Sequence, residues 1–203
     1  MKSVVQKQIA QSIATLQAVL ADERIAETLV RLSEMTAATM KAGGKLLVAG
    51  NGGSAADAQH LVAEFVGRLT VSRPALRAIA LTVDTSILTA VGNDFSFDYV
   101  FERQIEALGV AGDIFLGIST SGNSKNIVKA AKLANQMGLT TVGFSGNDGG
   151  AMAEFCQMNI VIPSSTTMNI QESHLVLEHI YCMLVELCYF GPEFGKQPHE
   201  LAE

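Results

Sequence analysis

No stretch of about 18 uncharged apolar residues occurs in the sequence, so a membrane-spanning helix is not expected even though 48% of the 203 residues are hydrophobic. Lys and Arg form no run and the formal net charge is −6, which argues against nonspecific binding to a nucleic-acid backbone. Cysteine is scarce. Cys156, Cys182 and Cys188 stand in apolar surroundings without paired spacing, a pattern that fits buried thiols in a reducing compartment. From Met1 to Ile9 the chain reads as ordinary helix, with no apolar core leading to a small-residue cleavage site, so a cytoplasmic protein is expected. The length suits one domain over residues 1–203, able to bury a core without disulfide or metal staples. An acidic chain still admits a small anionic ligand, because backbone N–H groups and hydroxyls at a helix start hold an anion without excess positive charge.

Apolar residues at helical spacing, Ile9, Ile13, Leu16 and Leu20, then Ile25, Leu29, Leu32 and Met35, predict N-terminal helices over residues 1–43, closed by Gly43 and Gly44. An α/β core over 44–190 follows. Short apolar runs at 45–49, 78–81, 113–118, 140–144 and 159–162 read as strands, and two of them break into glycine loops that lead into helices. The first helix is expected to start with Ser54 as its cap and to reach about Leu69. Alternating strands and helices predict a doubly wound, mostly parallel sheet flanked by helices. The last helix, about 169–190, carries Leu175, Val176, Leu177, Ile180, Tyr181, Met183, Leu184, Val185, Leu187 and Tyr189. That leaves a thin polar stripe around Gln171, Glu178 and His179. A helix apolar nearly all round needs cover on most sides, and a second subunit is the expected cover. The tail over 191–203, with two prolines and little periodicity, reads as loosely attached.

Both glycine loops sit where α/β sheets bind ligands, after a strand and before a helix. Gly50-Asn-Gly-Gly-Ser54 lacks the dinucleotide spacing and the Lys-Ser or Lys-Thr pair of a P-loop, so neither of those cofactor sites is supported. The second loop places the hydroxyls of Ser119, Thr120, Ser121 and Ser124 around one glycine at a helix start. Hydroxyls, free N–H groups and the positive end of a helix dipole make a phosphate cradle that needs no Lys or Arg. On the helix after the first loop, His60 and Glu64 share a face, a spacing that suits a divalent metal or a salt-bridged surface. On the last helix Gln171 and His179, eight residues apart, differ by roughly 80° and can border one cleft. Glu172 with His179, and His174 with Glu178, are competing pairs that spacing leaves open.

Taken together, Gly50 to His60, Ala63 to Arg68, Gly92-Asn-Asp94, Gly117 to Ser124, and Ile170-Gln-Glu172 with His174 and His179 closely resemble the phosphoheptose isomerase family of SIS-domain proteins. Their order and spacing span about Lys45 to Cys188. The resemblance implies an SIS-type fold and an aldose–ketose isomerase acting on sedoheptulose 7-phosphate, in the heptose branch of lipopolysaccharide core biosynthesis. It further implies a homotetramer with active sites between subunits and one zinc ion per subunit, held by His60, Glu64, Gln171 and His179. Phosphate is expected on Ser119, Thr120, Ser121 and Ser124, with Asn51, Gly52, Ser54, Asn93, Asp94 and Gln171 along the sugar. Glu64 is the expected base and His179 its partner in proton transfer. The sequence departs from the family at Asn169, where relatives commonly carry Arg. The rival reading is a noncatalytic regulator of the same fold that binds a replication-initiation protein; such a protein lacks the acid/base pair retained here.

Overall fold

Buried parallel strands are apolar along their whole length because both faces are covered. In the computed structural model, which describes residues 1–192, the short apolar runs form β1 (Leu46–Gly50), β2 (Ala78–Ala80), β3 (Ile114–Ile118), β4 (Thr140–Gly146) and β5 (Met158–Ile162). Every pairing is parallel, in the order β2-β1-β3-β4-β5. The tail expected over 191–203 lies, from residue 193 on, outside the described residues.

Helices α1 (Lys2–Ala21), α2 (Glu23–Lys41), α3 (Gly53–Val66) and α6 (Lys125–Gln136) form where expected, and α7 (Thr167–Phe190) is the long final helix. One layer packs Leu46, Val48, Leu116 and Phe144 against α2, α3 and α7. The opposite layer packs Leu47, Ala49 and Phe115 against α6 and α5 (Glu102–Leu108). Helix α5 and helix α4 (Thr85–Asp94) were not expected. Seven residues are too few to display a helical period, and α4 buries none of its side chains, so neither writes an apolar stripe into the sequence. None of the helices among the described residues is long and apolar enough to cross a membrane. All three cysteines are free; Cys156 and Cys182 are buried, whereas Cys188, expected to be buried, is only partly so.

Helix α7 corrects the expected polar stripe. Glu178 is buried, at 1% exposure, and not on an outer face with Gln171 and His179. Burial, reinforced by the nearby Asp57 carboxylate, pushes its carboxyl up to about 8. Uncovered instead are Leu175, Val176, Ile180, Met183 and Leu187, each 37–49% exposed, so a single chain leaves an apolar strip on this helix open. Helix α1 does the same with Val5, Ile9 and Ile13.

His174 is fully buried on the inner face of α7, and its Nε2–H donates to the Ser145 carbonyl oxygen at 3.0 Å. A carbonyl can only accept, so the proton sits on Nε2. Burial lowers the imidazole to about 4, against the pull of that carbonyl, from an ordinary 6.5. Because the folded value is depressed, the stability it carries is complete above the unfolded pKa and is lost as pH falls from 6.5 through 4. Urea unfolding should therefore show about 2–3 kcal/mol less stability at about pH 4.5 than at about pH 7 from this group alone. In His174→Gln this contribution should be absent; an unchanged pH slope would show that His174 is not the group responsible.

Candidate active site

Strands β1 and β3 are neighbours in the sheet, and Gly50 lies level with Ile118. The chain runs outward from β1 to β2 and then crosses back to β3, so the two loops open at the point where strand order reverses. That crevice at the carboxyl edge is where open α/β sheets bind ligands.

In the first loop the helix begins two residues earlier than expected. Gly52 takes the cap position with φ 56° and no side-chain bond, and Ser54, expected as the cap, lies inside the first turn and is buried. Gly53 is where α7 meets the loop. A Cβ there would fall 2.5 Å from the Gln171 amide, which lies flat against the glycine and donates from Nε2 to Asp57 Oδ1 at 3.0 Å. With Nε2 donating to Asp57, Oε1 is the lone-pair atom of the amide and the one able to coordinate a metal.

Asn51 and Asn126 face each other across the crevice and exchange two hydrogen bonds, Asn51 Nδ2 to Asn126 Oδ1 at 2.8 Å and Asn126 Nδ2 to Asn51 Oδ1 at 2.9 Å. Asn126, at 3% exposure, thereby ties the first loop to the start of α6. Sequence reasoning missed it, because one Asn on an amphipathic helix looks solvated; the only signal was its place just after the hydroxyl cluster.

In the second loop Ser119 Oγ donates to Ser124 Oγ at 3.0 Å, and Ser124 makes no capping bond to its own helix. Ser121 Oγ accepts from the Asn123 N–H at 3.1 Å. No acidic residue occupies the first turn of α6, so nothing there repels an anion. Thr120 is half-buried and Ser121 exposed, so the loop opens to solvent on one side.

A second cluster joins α3 to α7. His60 Nε2 lies 2.8 Å from His179 Nε2 and 3.7 Å from Glu64 Oε1, and one donor atom from each of the three falls within 4.8 Å of the others. Two imidazole nitrogens and a carboxylate oxygen are a zinc-type donor set. Their separations bracket the edge of roughly 3.3 Å that a tetrahedron with bonds of about 2.0–2.1 Å requires, so the residues fit the ion. Of the competing pairs on α7, His174 and Glu178 are buried away from this cluster, and Glu172 accepts instead from Asn169 Nδ2 at 3.3 Å. Asn169 itself points to α1, donating to Ser12 Oγ at 2.9 Å, so it serves helix packing. Asn93 and Asp94 are both exposed at the end of α4, with Asn93 Nδ2 donating to Asp94 Oδ1 at 2.8 Å.

A family model described as SIS domain matches residues 8–146. The phosphoheptose isomerase of Burkholderia pseudomallei is 51% identical over 185 residues, covering 91% of this chain and 94% of that protein. That of Clostridium acetobutylicum is 47% identical over 191 residues, covering 94% and 97%. Among solved structures, phosphoheptose isomerase from Neisseria gonorrhoeae superposes with a TM-score of 0.86 at 40% identity, covering 91% of this chain and 98% of the other.

Proposed function

The chain belongs to the phosphoheptose isomerase family of SIS-domain proteins, and from that membership we propose how its residues divide the chemistry. It is an isomerase of heptose-precursor biosynthesis. The substrate pair we assign is sedoheptulose 7-phosphate and D-glycero-D-manno-heptose 7-phosphate. The observation that carries the assignment of roles is the meeting of Glu64 and His179, on two different helices, within 4.8 Å of each other and of His60.

Ser119, Thr120, Ser121 and Ser124 bind the phosphate with the first-turn N–H groups of α6. Asn51, Gly52 and Ser54 line the sugar, and the Asn51–Asn126 pair holds the two loops at a fixed separation. Glu64 removes the proton from C1 of the open-chain ketose and returns it at C2, while His179 moves the proton between the two oxygens. The intermediate is an enediol or enediolate. His60, Glu64, Gln171 and His179 hold one zinc ion, which when bound supplies a Lewis acid that polarises the carbonyl and stabilises developing negative charge. No observation favours the regulator reading.

A homotetramer with active sites between subunits is supported by the uncovered apolar strips of α1 and α7 and by α4, which buries nothing although it carries Asn93 and Asp94. A monomeric mass in light scattering at micromolar concentration would contradict it. The free thiols support a cytoplasmic location, and the family supports a role in supplying heptose for the lipopolysaccharide core. For the metal, chelator-treated protein should lose turnover and regain it on adding Zn2+, and His60→Ala should weaken zinc binding by about 10-fold or more. Full turnover in chelator, with zinc absent by elemental analysis, would remove the ion from the account.

A further inference from the structure

Helix α3 was expected to reach about Leu69 but stops at Val66, and the carbonyls of its last turn need partners. Arg73, in the segment that leads to β2, supplies them. Its side chain is fully buried, with Nη2 donating to the Glu64 carbonyl oxygen at 2.6 Å and Nη1 to those of Phe65 and Pro74 at 2.8 and 3.2 Å. Its Nε donates to Glu186 Oε1 at 2.7 Å. Glu186 is buried too, and it accepts from Thr70 Oγ1 at 2.6 Å and from the Leu69 N–H at 3.3 Å. Burial works to raise this carboxyl, and the bonds from Thr70, Arg73 and Leu69 outweigh it and hold it below its ordinary value.

The two partners of Arg73 matter for where they sit. Glu64 is in the final turn of α3, the part of a helix most prone to fray. Glu186 is seven residues beyond His179 on α7, two turns on and on nearly the same face. One planar guanidinium therefore grips the backbone of the proposed base and the helix that carries its partner. The geometry points to Arg73 as a positioning residue that, clamped by Glu186, fixes the last turn of α3 against α7 and so sets His60 and Glu64 opposite His179. A lysine, with a single rotating ammonium, has no fork to reach two carbonyls and a carboxylate at once. The positive charge at the C-terminal end of α3 adds a favourable dipole interaction.

This inference rests on the roles given above to His60, Glu64 and His179. Its test separates positioning from stability, because a buried ion pair exchanged for apolar side chains is often neutral for folding. The double variant Arg73→Met with Glu186→Leu, and the single variant Arg73→Lys, are compared with the intact protein by thermal melting, steady-state kinetics on sedoheptulose 7-phosphate and competition for Zn2+ against a chromophoric chelator. The expected result is folded protein whose kcat and zinc affinity each fall by about 10-fold or more, with KM changed by less than about threefold because the phosphate loop is untouched. Folded variants with kcat and zinc affinity within about twofold of the intact protein would overturn it. If the double variant does not fold, Arg73→Lys alone decides. His60→Ala, run in parallel, isolates the underlying reading: normal turnover and zinc binding there would sink the site itself, whereas their loss there beside unaffected Arg73 variants would sink only the clamp.

Discussion

Replacing Glu64 by Gln should lower turnover of sedoheptulose 7-phosphate by about 10²–10⁴-fold, the range a positioned general base contributes. KM should change little. The amide preserves the size of the side chain and an oxygen toward the metal, and it lies on a different element from the loop assigned to the phosphate. What it removes is the ability to take a proton from carbon. Glu64 is suited to that task by its placement: its carboxylate is partly exposed, at 19%, and stands 3.7 Å from His60, while its backbone carbonyl is gripped by Arg73. Steady-state kinetics decide the matter. A variant that turns over within about threefold of the intact enzyme would show that another group is the base.

Gly122→Ala should damage the second loop more than loss of any single hydroxyl. Gly122 has φ +65°, a conformation that L side chains rarely adopt, and a Cβ there would overlap the carbonyl oxygen of Gly149. The obstacle is backbone, so no rotamer change relieves it. Gly122 is also bonded through its own backbone, its N–H to the Ser119 carbonyl at 2.8 Å and its carbonyl to the Met152 N–H at 2.9 Å. Adding the methyl group must shift the turn that presents Ser119, Ser121 and Ser124. We expect a loss of about 3 kcal/mol in stability, a fall in Tm of about 6–12 °C, and affinity for sugar phosphate weakened by about 100-fold. Calorimetric melting and titration with inorganic phosphate measure both. Unchanged phosphate affinity would mean that the cradle lies elsewhere.

The sheet was legible because strands buried on both faces are apolar runs of a length that helices do not share. The two glycine loops were legible because each follows such a run, and the hydroxyls of the second are contiguous in sequence. His60 with Glu64 was legible as an i, i+4 pair. Their partner on α7 was not, since a helix apolar nearly all round offers several polar pairs of similar phase. Packing made the distinction: the 174/178 face turns inward, where His174 bonds to the backbone of β4, and His179 meets His60. Helix α4 escaped notice because it buries nothing within one chain. Arg73 and Asn126 escaped for the opposite reason: polar side chains in a loop and on an amphipathic helix look solvated, and only the tertiary structure reveals that both are buried. The Asn169 amide fastens α7 to Ser12 of α1.

The central claim is proton transfer between adjacent carbons of a heptose phosphate by Glu64, and an NMR time course of sedoheptulose 7-phosphate in deuterated water tests it most directly. The account predicts that the intact, zinc-replete protein forms the aldose with deuterium at C2, and that Glu64→Gln forms almost none. Folded, zinc-replete protein that leaves the ketose unchanged, or a Glu64→Gln variant that still labels C2 at the rate of the intact enzyme, would contradict it.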